Sequence, residues 1–360
     1  MKSKYKTASI KDVARKAGVS ISTVSNALNN SRYVKKETRE KILEITKNLN
    51  YTPNIIARGL KTRSTSTVAV IVPDIANQFF AQVIRGVEEI ARLRKYNVLL
   101  VCTYYDVMEE KKSIEILRKQ FVDGFVFISG YNSFDHIKAL NDDKVPVVVA
   151  DRELGDAKVP SVLIDNFGAM RETVNYLHRL GHKRIGYISY TYDNQTTVEK
   201  RFKGYCEGLK DNKLVFDPDI VVISEALRLN ELQGSREAVK KILNCKNIPS
   251  VIMNASDFIA VGVIRVLKEL KIKIPEEISV VGFDNILMSL YTDPLLTTIK
   301  QPKKQMGITA INLLLDIIKG KRVKGKNIVL PTELIVRQSV AKPRNRNISN
   351  LLPETLKSQT

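Results

Sequence analysis

Along the first fifty residues the apolar positions recur at helical spacing in three short stretches, and beyond residue 67 they gather into compact runs separated by amphipathic segments. In SIKDVARKAG, Ile10, Val13, Ala14 and Ala17 fall at i, i+3, i+4 and i+7, one face of a helix of about two turns. Ser9, with Asp12 three residues later, has capping-box spacing, and Gly18 is a natural stop. After a very short turn, Ser20 can cap a second helix. Its Val24, Ala27 and Leu28 point inward, and Ser22, Ser25, Asn26 and Asn29 group on the opposite side. A third helix is predicted in KKETREKILEITKNL, where Thr38, Ile42, Ile45 and Leu49 align. Two short helices joined by a tight glycine turn and backed by a third form a helix-turn-helix.

The body follows another rhythm. VAVIVPD, NVLLVCT, DGFVFIS and VPVVVADR read as buried strands, with FFAQVIRGVEEIARLRKY and KKSIEILRKQ as helices among them. After VPSVLIDN the alternation restarts with GAMRETVNYLHRLGH, RIGYISY, TTVEKRFKGYCEGL, IVVIS, VIMNAS, DFIAVGVIRVLKEL and ISVVGFD. Such alternation predicts parallel strands with crossover helices. The expected fold class is therefore an α/β core of two similar doubly wound subdomains behind an N-terminal all-α helix-turn-helix domain. Its natural binding site is the cleft between the halves, at the carboxyl ends of strands.

Composition narrows the class. The apolar runs fall far short of the roughly 20 residues that span a bilayer, so no membrane span is expected. The opening MKSKYKTASIKDVARKAG is basic but lacks the apolar core and cleavage site of a secretory signal, which predicts a cytoplasmic chain. Cys102, Cys206 and Cys245 are widely spaced with no C-x-x-C pair and read as reduced thiols packed as small hydrophobes. Charge changes the picture most. Residues 1–66 hold 15 Lys/Arg against 4 Asp/Glu, net +11 of the total +20, and the remaining 294 residues carry only +9. This is the distribution of a small polyanion-binding module joined to a nearly balanced body.

Within that basic module, VSISTVSNALNN, Val19 to Asn30, carries no charge at all. Phosphate contacts supply affinity and register without sequence information, whereas base edges are read by short hydrogen-bonding side chains and by apolar contacts to thymine methyls. Lys11, Arg15, Lys16, Arg32, Lys35, Lys36 and Arg39 frame the second helix and serve the phosphates. Ser22, Ser25, Asn26 and Asn29 are left for the bases of double-stranded DNA, whose major groove takes that helix. Ile21, at the edge of the apolar stripe, either packs in the core or touches a thymine methyl.

In YTPNIIARGLKTRSTST, Pro53 ends what precedes it and Asn54 can cap a very short helix holding Ile55, Ile56, Ala57 and Leu60. Short, and weakened by Gly59, it should fold only against a partner. SIKDVARKAGVSISTVSNALN, VKKETREKILEITKNLNYTPNIIARGL and, later, VVGFDN, LTTIKQP and PTELIVRQS resemble the signatures of the lactose/galactose repressor (LacI/GalR) family of bacterial transcription regulators, from about Ser9 to Ser339. The resemblance implies a periplasmic-binding-protein-like core and a homodimer on a near-palindromic operator. It places base contacts at the first, second and sixth residues of the recognition helix, Ile21, Ser22 and Asn26. It makes Leu60 a minor-groove wedge beside its twofold mate and Ala57 a residue lining that groove, with Arg58 between them also counted as DNA-binding.

In the body, polar residues cluster where strands end: Asp74 and Asn77 near Phe79, Asp151 with Arg152, Asp165 with Asn166, Thr197 and Arg201 at a helix start, then Asp257, and Asp284 with Asn285. Carboxylates and guanidinium groups converging in a cleft can each take two sugar hydroxyls. The resemblance implies effector contacts at Phe79, Arg152, Arg201, Asp257 and Asp284, and Asn77 and Thr197 join them as effector-binding candidates. Each of these residues also fits a helix cap or turn. Ser256 departs from the Asn-Asp pair common in the family, which leaves the ligand class open.

Rival classes find little support. No G-x-G-x-x-G follows a strand, no G-x-x-x-x-G-K-[ST] occurs, and no Cys/His pair resembles a catalytic dyad. His178 and His182 have H-x-x-x-H spacing, but Gly181 ends the helix between them, and a structural role is expected rather than a metal. A transport binding protein would have no use for residues 1–66. The expectation is a cytoplasmic, homodimeric DNA-binding repressor, not an enzyme, with no catalytic residue, metal or cofactor, controlled by a small effector of carbohydrate type. Its expected parts are a headpiece at 1–52, a hinge helix and linker at 53–67, an effector-binding and dimerisation core at 68–340, and a tail at 341–360. The tail is either a flexible end or a helix that adds a tetramer contact.

Overall fold

A computed structural model describes residues 8–29, 32–51, 64–129, 133–155, 158–191, 197–321, 323 and 327–344, apart from the side chains of Leu229 and Glu231. The chain forms two compact units, Met1–Thr65 and Ser66–Thr360. In the first, helices α1 (Ile10–Ala17), α2 (Ile21–Asn29) and α3 (Lys36–Asn48) enclose Val13, Ala14, Ala17, Val24, Ala27 and Ile42. The capping box forms as its spacing predicts. Ser9 Oγ accepts from the Asp12 amide at 3.3 Å, and the Asp12 carboxylate accepts from the Ser9 amide at 3.0 Å. Gly18 ends α1 at φ +70°, where a residue with a Cβ would be strained.

In chain order the strands of the second unit are β1 (Thr67–Val72), β2 (Asn97–Cys102), β3 (Gly124–Ile128), β4 (Val147–Ala150), β5 (Ser161–Ile164), β6 (Ile185–Ser189), β7 (Val221–Ile223), β8 (Val251–Asn254), β9 (Ser279–Asp284), β10 (Thr297–Lys300), β11 (Asn327–Leu330) and β12 (Glu333–Ile335). They form two six-stranded sheets, β11-β5-β4-β3-β1-β2 and β12-β10-β9-β8-β6-β7. Every pairing is parallel except that of β12 with β10, and the strands are fully buried at the centre of each sheet.

The halves are not consecutive in the chain, as the apolar rhythm alone would suggest. The chain leaves the first half after β5, returns at Gln301–Lys303 after β10, and leaves again between β11 and β12. The helix Lys303–Ile318 therefore packs in the first half, against Gln78–Leu93, although it follows the second sheet in sequence. Backbones meet at that crossing. A Cβ on Gly307 would lie 1.9 Å from the Val83 carbonyl oxygen, and one on Gly86 would lie 2.1 Å from that of Lys304. The helix expected in KKSIEILRKQ begins earlier, at Val107, because Asp106 Oδ1 accepts from the amides of Met108 at 2.6 Å and Glu109 at 3.3 Å. Strand β2 is a sheet edge that leaves Leu99 and Leu100 exposed. Among the described residues no helix is long and apolar enough to cross a membrane.

His182 is fully buried and fastens the segment that follows β12. Its Nδ1 accepts from Ser250 Oγ at 2.8 Å, and its Nε2 donates to the Ala341 carbonyl at 3.0 Å. Both ring nitrogens are thus engaged by the fold. Burial holds its pKa below the usual histidine value, with the bond to Ala341 opposing. His182→Leu removes one hydrogen bond each from Ser250 and Ala341, both half-buried, and is expected to lower core stability by about 1–3 kcal/mol near pH 7.5. Because the unfolded chain takes the proton more readily, this wild-type advantage shrinks as pH falls below about 6.5. Thermal melting of both proteins from pH 8 to pH 5 reads it, and a difference that grows toward acid pH would refute the assignment.

Candidate nucleic-acid interface and ligand cleft

The headpiece surface follows from α2. Ser22 and Asn29 are exposed, Ser25 and Asn26 half-buried, and Ile21 is 45% exposed, so Ile21 sits on the surface beside Ser22 rather than in the core. Ser20 Oγ organises the start of the helix: it lies 2.7 Å from Ser22 Oγ and 2.8 Å from Thr23 Oγ1, and accepts from the Thr23 amide at 3.1 Å. At the other end, Asn29 Nδ2 donates to the Ser25 carbonyl at 2.9 Å. Lys11, Lys16, Arg32, Lys35 and Lys36 are exposed around this face, while Arg15 is ion-paired with Asp12. Tyr33, which sequence reasoning passed over, is 90% exposed between Arg32 and the two lysines. An aromatic ring so presented beside cations is suited to a sugar-phosphate edge, and its only signal in the sequence was its place in a basic turn. Ala57, Arg58 and Leu60 lie outside the described residues.

In the core, the strand ends converge as expected, and Asp284 is the pivot. It closes β9 at φ +118° and is followed by Asn285 at φ +52°, two consecutive non-glycine residues in a sparsely populated region. The turn is gripped from both later crossovers. Gln301 Nε2 donates to Asp284 Oδ1 at 2.6 Å, Lys303 Nζ donates to the Asp284 carbonyl and to that of Asn285 at 2.9 Å, and Arg337 Nη2 donates to Asn285 Oδ1 at 2.6 Å. Arg201 is buried on the same wall. Its Nε donates to Asn166 Oδ1 at 2.8 Å and its Nη1 to the Ala255 carbonyl at 2.7 Å; Nη1 also lies 3.7 Å from Asp284 Oδ1, and the guanidinium stacks 3.7 Å over the Phe283 ring. Burial pushes the Asp284 carboxyl above its usual range, with Arg201 and Lys303 opposing.

Asp257 stands behind this wall. Its Oδ1 accepts from Thr298 Oγ1 at 2.5 Å and its Oδ2 from the Ile286 amide at 2.8 Å, so both oxygens orient the Asp284 turn. The carboxylate packs onto Gly282, where a Cβ would lie 2.2 Å from Asp257 Oδ1. Its pKa is raised by burial and then by the neighbouring Asp284. Ser256 caps the helix Asp257–Glu269 and shares a 2.9 Å hydrogen bond with Tyr190.

On the opposite wall the structure redistributes the expected roles. Asn77 caps the helix Gln78–Leu93, its Oδ1 accepting from the Phe79 amide at 2.9 Å, and Phe79 is buried edge-on against Phe80. Arg152 is engaged inside its own half. Its Nη1 lies 3.0 Å from each Glu110 carboxylate oxygen, and its Nη2 donates to the Ser133 carbonyl at 3.0 Å. The adjacent Asp151, in a left-handed turn at φ +52°, is 5% exposed and has an Oδ1 with no protein partner among the described residues. Burial pushes its pKa up to about 7, Arg201 across the cleft pulls it down, and Asp284 adds to the rise. Thr197 is the first residue of the helix Thr197–Asp211 and is buried. The halves meet where Gln78 Oε1 accepts from the Met288 amide at 3.2 Å, where Lys200 pairs with Glu153, and where Arg228 lies 4.9 Å over the Tyr105 ring.

Comparison with known proteins gives the same two parts. A family model described as bacterial regulatory proteins, lacI family, matches residues 9–54, and one described as periplasmic binding proteins and sugar binding domain of LacI family matches residues 65–338. The chain is similar to the HTH-type transcriptional regulator RegA of Clostridium saccharobutylicum, with 34% identity over 332 residues, 92% of this chain and 98% of that one. Among solved structures it resembles the Lac repressor dimer bound to operator and the anti-inducer ONPF, at TM-score 0.81 and 26% identity, over 93% of this chain and 100% of that chain. It is also similar to the transcriptional regulator CelR in complex with cellobiose, at TM-score 0.68 and 29% identity, over 92% of this chain and 99% of that chain.

Proposed function

The chain belongs to the lacI family of bacterial regulatory proteins, and from that premise we propose that it is a homodimeric repressor whose headpiece reads a near-palindromic operator and whose core is set by a small carbohydrate effector. As a member of that family it is a DNA-binding transcriptional regulator and not an enzyme. The observation that carries the reading is the uncharged helix α2, bearing Ser22, Ser25, Asn26 and Asn29, flanked along the chain by exposed Lys11, Lys16, Arg32, Lys35 and Lys36. That pattern divides sequence readout from phosphate binding. Ile21 adds an exposed apolar contact for a thymine methyl. Residues 53–67, with Ala57, Arg58 and Leu60, serve as the hinge between a headpiece at 1–52 and a core at 68–340, and the protein works in the cytoplasm, where its DNA lies.

Two features of the core support the rest. The exposed edge of β2, with Leu99 and Leu100, is an unpaired row of backbone groups that a second copy would cover, which suits a dimer. The cleft around Phe79, Thr197, Arg201 and Asp284 offers the mixture of aromatic, guanidinium and carboxylate groups that suits a sugar. The solved Lac repressor dimer is bound to operator, and the solved CelR structure holds cellobiose. Selection of fragments from random DNA by the purified full chain tests the reading. It should enrich a sequence with twofold-related half-sites, and Asn26→Ala should lower affinity for it by about 1–3 kcal/mol while leaving nonspecific binding unchanged. Failure to enrich any sequence, or enrichment unaltered in the variant, would count against it.

A further inference from the structure

Three hydroxyls meet at the head of α2. Ser20 Oγ lies 2.7 Å from Ser22 Oγ and 2.8 Å from Thr23 Oγ1, and it accepts from the Thr23 amide at 3.1 Å. Among the described residues, Ser20 Oγ is the protein partner of both neighbouring hydroxyls, and neither has another. A serine hydroxyl has one proton and two acceptor sites. The Thr23 amide fills one acceptor site, so Ser20 can receive a proton from one of the two hydroxyls and has to give its own proton to the other.

Burial sets the direction. Thr23 is half-buried and Ser22 is exposed, so the Thr23 proton is the costlier of the two to leave without an acceptor. The order of least cost runs from Thr23 to Ser20 and from Ser20 to Ser22. It leaves the Ser22 proton for a partner outside the protein, at the end of a chain of donors that polarise one another.

We propose that Ser22 reads the operator as a hydrogen-bond donor to the N7 of a guanine, and that Ser20 is the residue that positions it; the proposal rests on the reading of α2 as the base-reading helix. Guanine suits a lone donor, because its O6 adds a second acceptor beside N7 in the major groove. Adenine sets its own N6 donor beside N7, and cytosine offers a donor alone. A serine hydroxyl that rotates freely serves as donor or acceptor and suits any base. The bond from Ser20 turns such a side chain into one that prefers guanine.

The test uses the full chain and the operator selected as above. Wild type and Ser22→Ala are compared across every single base-pair change made in both half-sites. They should differ most at one G·C pair. There 7-deazaguanine, which lacks the N7 acceptor, should weaken the wild type about 3- to 10-fold and leave Ser22→Ala unchanged. Ser20→Asp separates position from fold: aspartate caps a helix as well as serine does but only accepts, so it takes the proton of Ser22 as well as that of Thr23. Its headpiece should melt at the wild-type temperature or above, its affinity should fall for all sequences through the added negative charge, and its sensitivity to 7-deazaguanine should vanish. Ser20→Thr, with a hydroxyl in place, should keep that sensitivity.

A difference centred on an A·T pair, or a G·C pair indifferent to 7-deazaguanine, overturns the donor assignment. So does a loss in Ser22→Ala that is equal for every sequence, the mark of a phosphate contact. Full sensitivity in Ser20→Asp, or none in Ser20→Thr, overturns the role of Ser20. If selection enriches no sequence at all, the base-reading role of α2 falls first, and this inference falls with it.

Discussion

Gly307→Ala should unfold the first half of the core at temperatures where the wild type is intact, with a loss of more than about 3 kcal/mol. The added Cβ lies 1.9 Å from the Val83 carbonyl oxygen and 3.0 Å from the Val87 amide nitrogen, so it meets backbone rather than a side chain that can turn aside. Overpacked cores typically lose about 1–3 kcal/mol when side chains absorb the strain. Here the two helices must move apart, which also breaks the apolar contacts of Val83, Val87 and Ala310 with their neighbours. For a core of this size the loss corresponds to about 6–12 °C in melting temperature. Calorimetry separates the parts: the headpiece transition should stay in place while the core transition drops. A core that melts within about 1 °C of wild type would show that the helices do not touch at this crossing.

The fragment Ser66–Thr360 should lose operator binding almost completely and keep the core melting transition. The basic excess of residues 1–66 supplies the phosphate contacts and α2 supplies the base contacts, so neither survives the cut. In the intact chain, log affinity should fall by about 0.9 unit per neutralised phosphate for each unit of log salt. Six to ten such contacts would cost about a thousand- to a hundred-thousand-fold between 50 and 200 mM salt. Fluorescence anisotropy on the selected operator reads both effects. A complex indifferent to salt, or operator binding retained by the fragment, would place the interface in the core.

What was legible beforehand was what is local. The capping of α1 by Ser9 and Asp12, the stop at Gly18 and the inward face of α2 depend on neighbours three or four residues away, and each appears where its spacing put it. Arg201 and Asp284 were also legible, as polar residues at strand ends in a chain with family signatures, and they meet in one wall. Asn77 and Arg152 show the limit. A polar residue after a strand can cap the next helix, pair within its own half or face the cleft, and one-dimensional spacing does not separate these uses. Asp151 stands in a left-handed turn that no glycine marks, and Arg152 next to it turns to Glu110. Lys303, Gln301 and Arg337 come from segments whose meeting with the Asp284 turn is a matter of three-dimensional topology.

The three passages of the chain between the halves also govern how the protein is made. Five strands of the first sheet leave the ribosome together, but the helix Lys303–Ile318 and strand β11 that complete that half are synthesised only after the whole run from β6 to β10. At about 5–20 residues per second this is a delay on the order of 10–30 s, during which the apolar flank of Gln78–Leu93 has no partner and invites aggregation or a chaperone. The second half reaches six strands later still, with β12. A nascent chain released before residue 335 therefore leaves the second half unfinished, and one released before β11 leaves neither half whole. The core has to be folded as one object, once β11 and β12 have been made, even though it is built of two sheets.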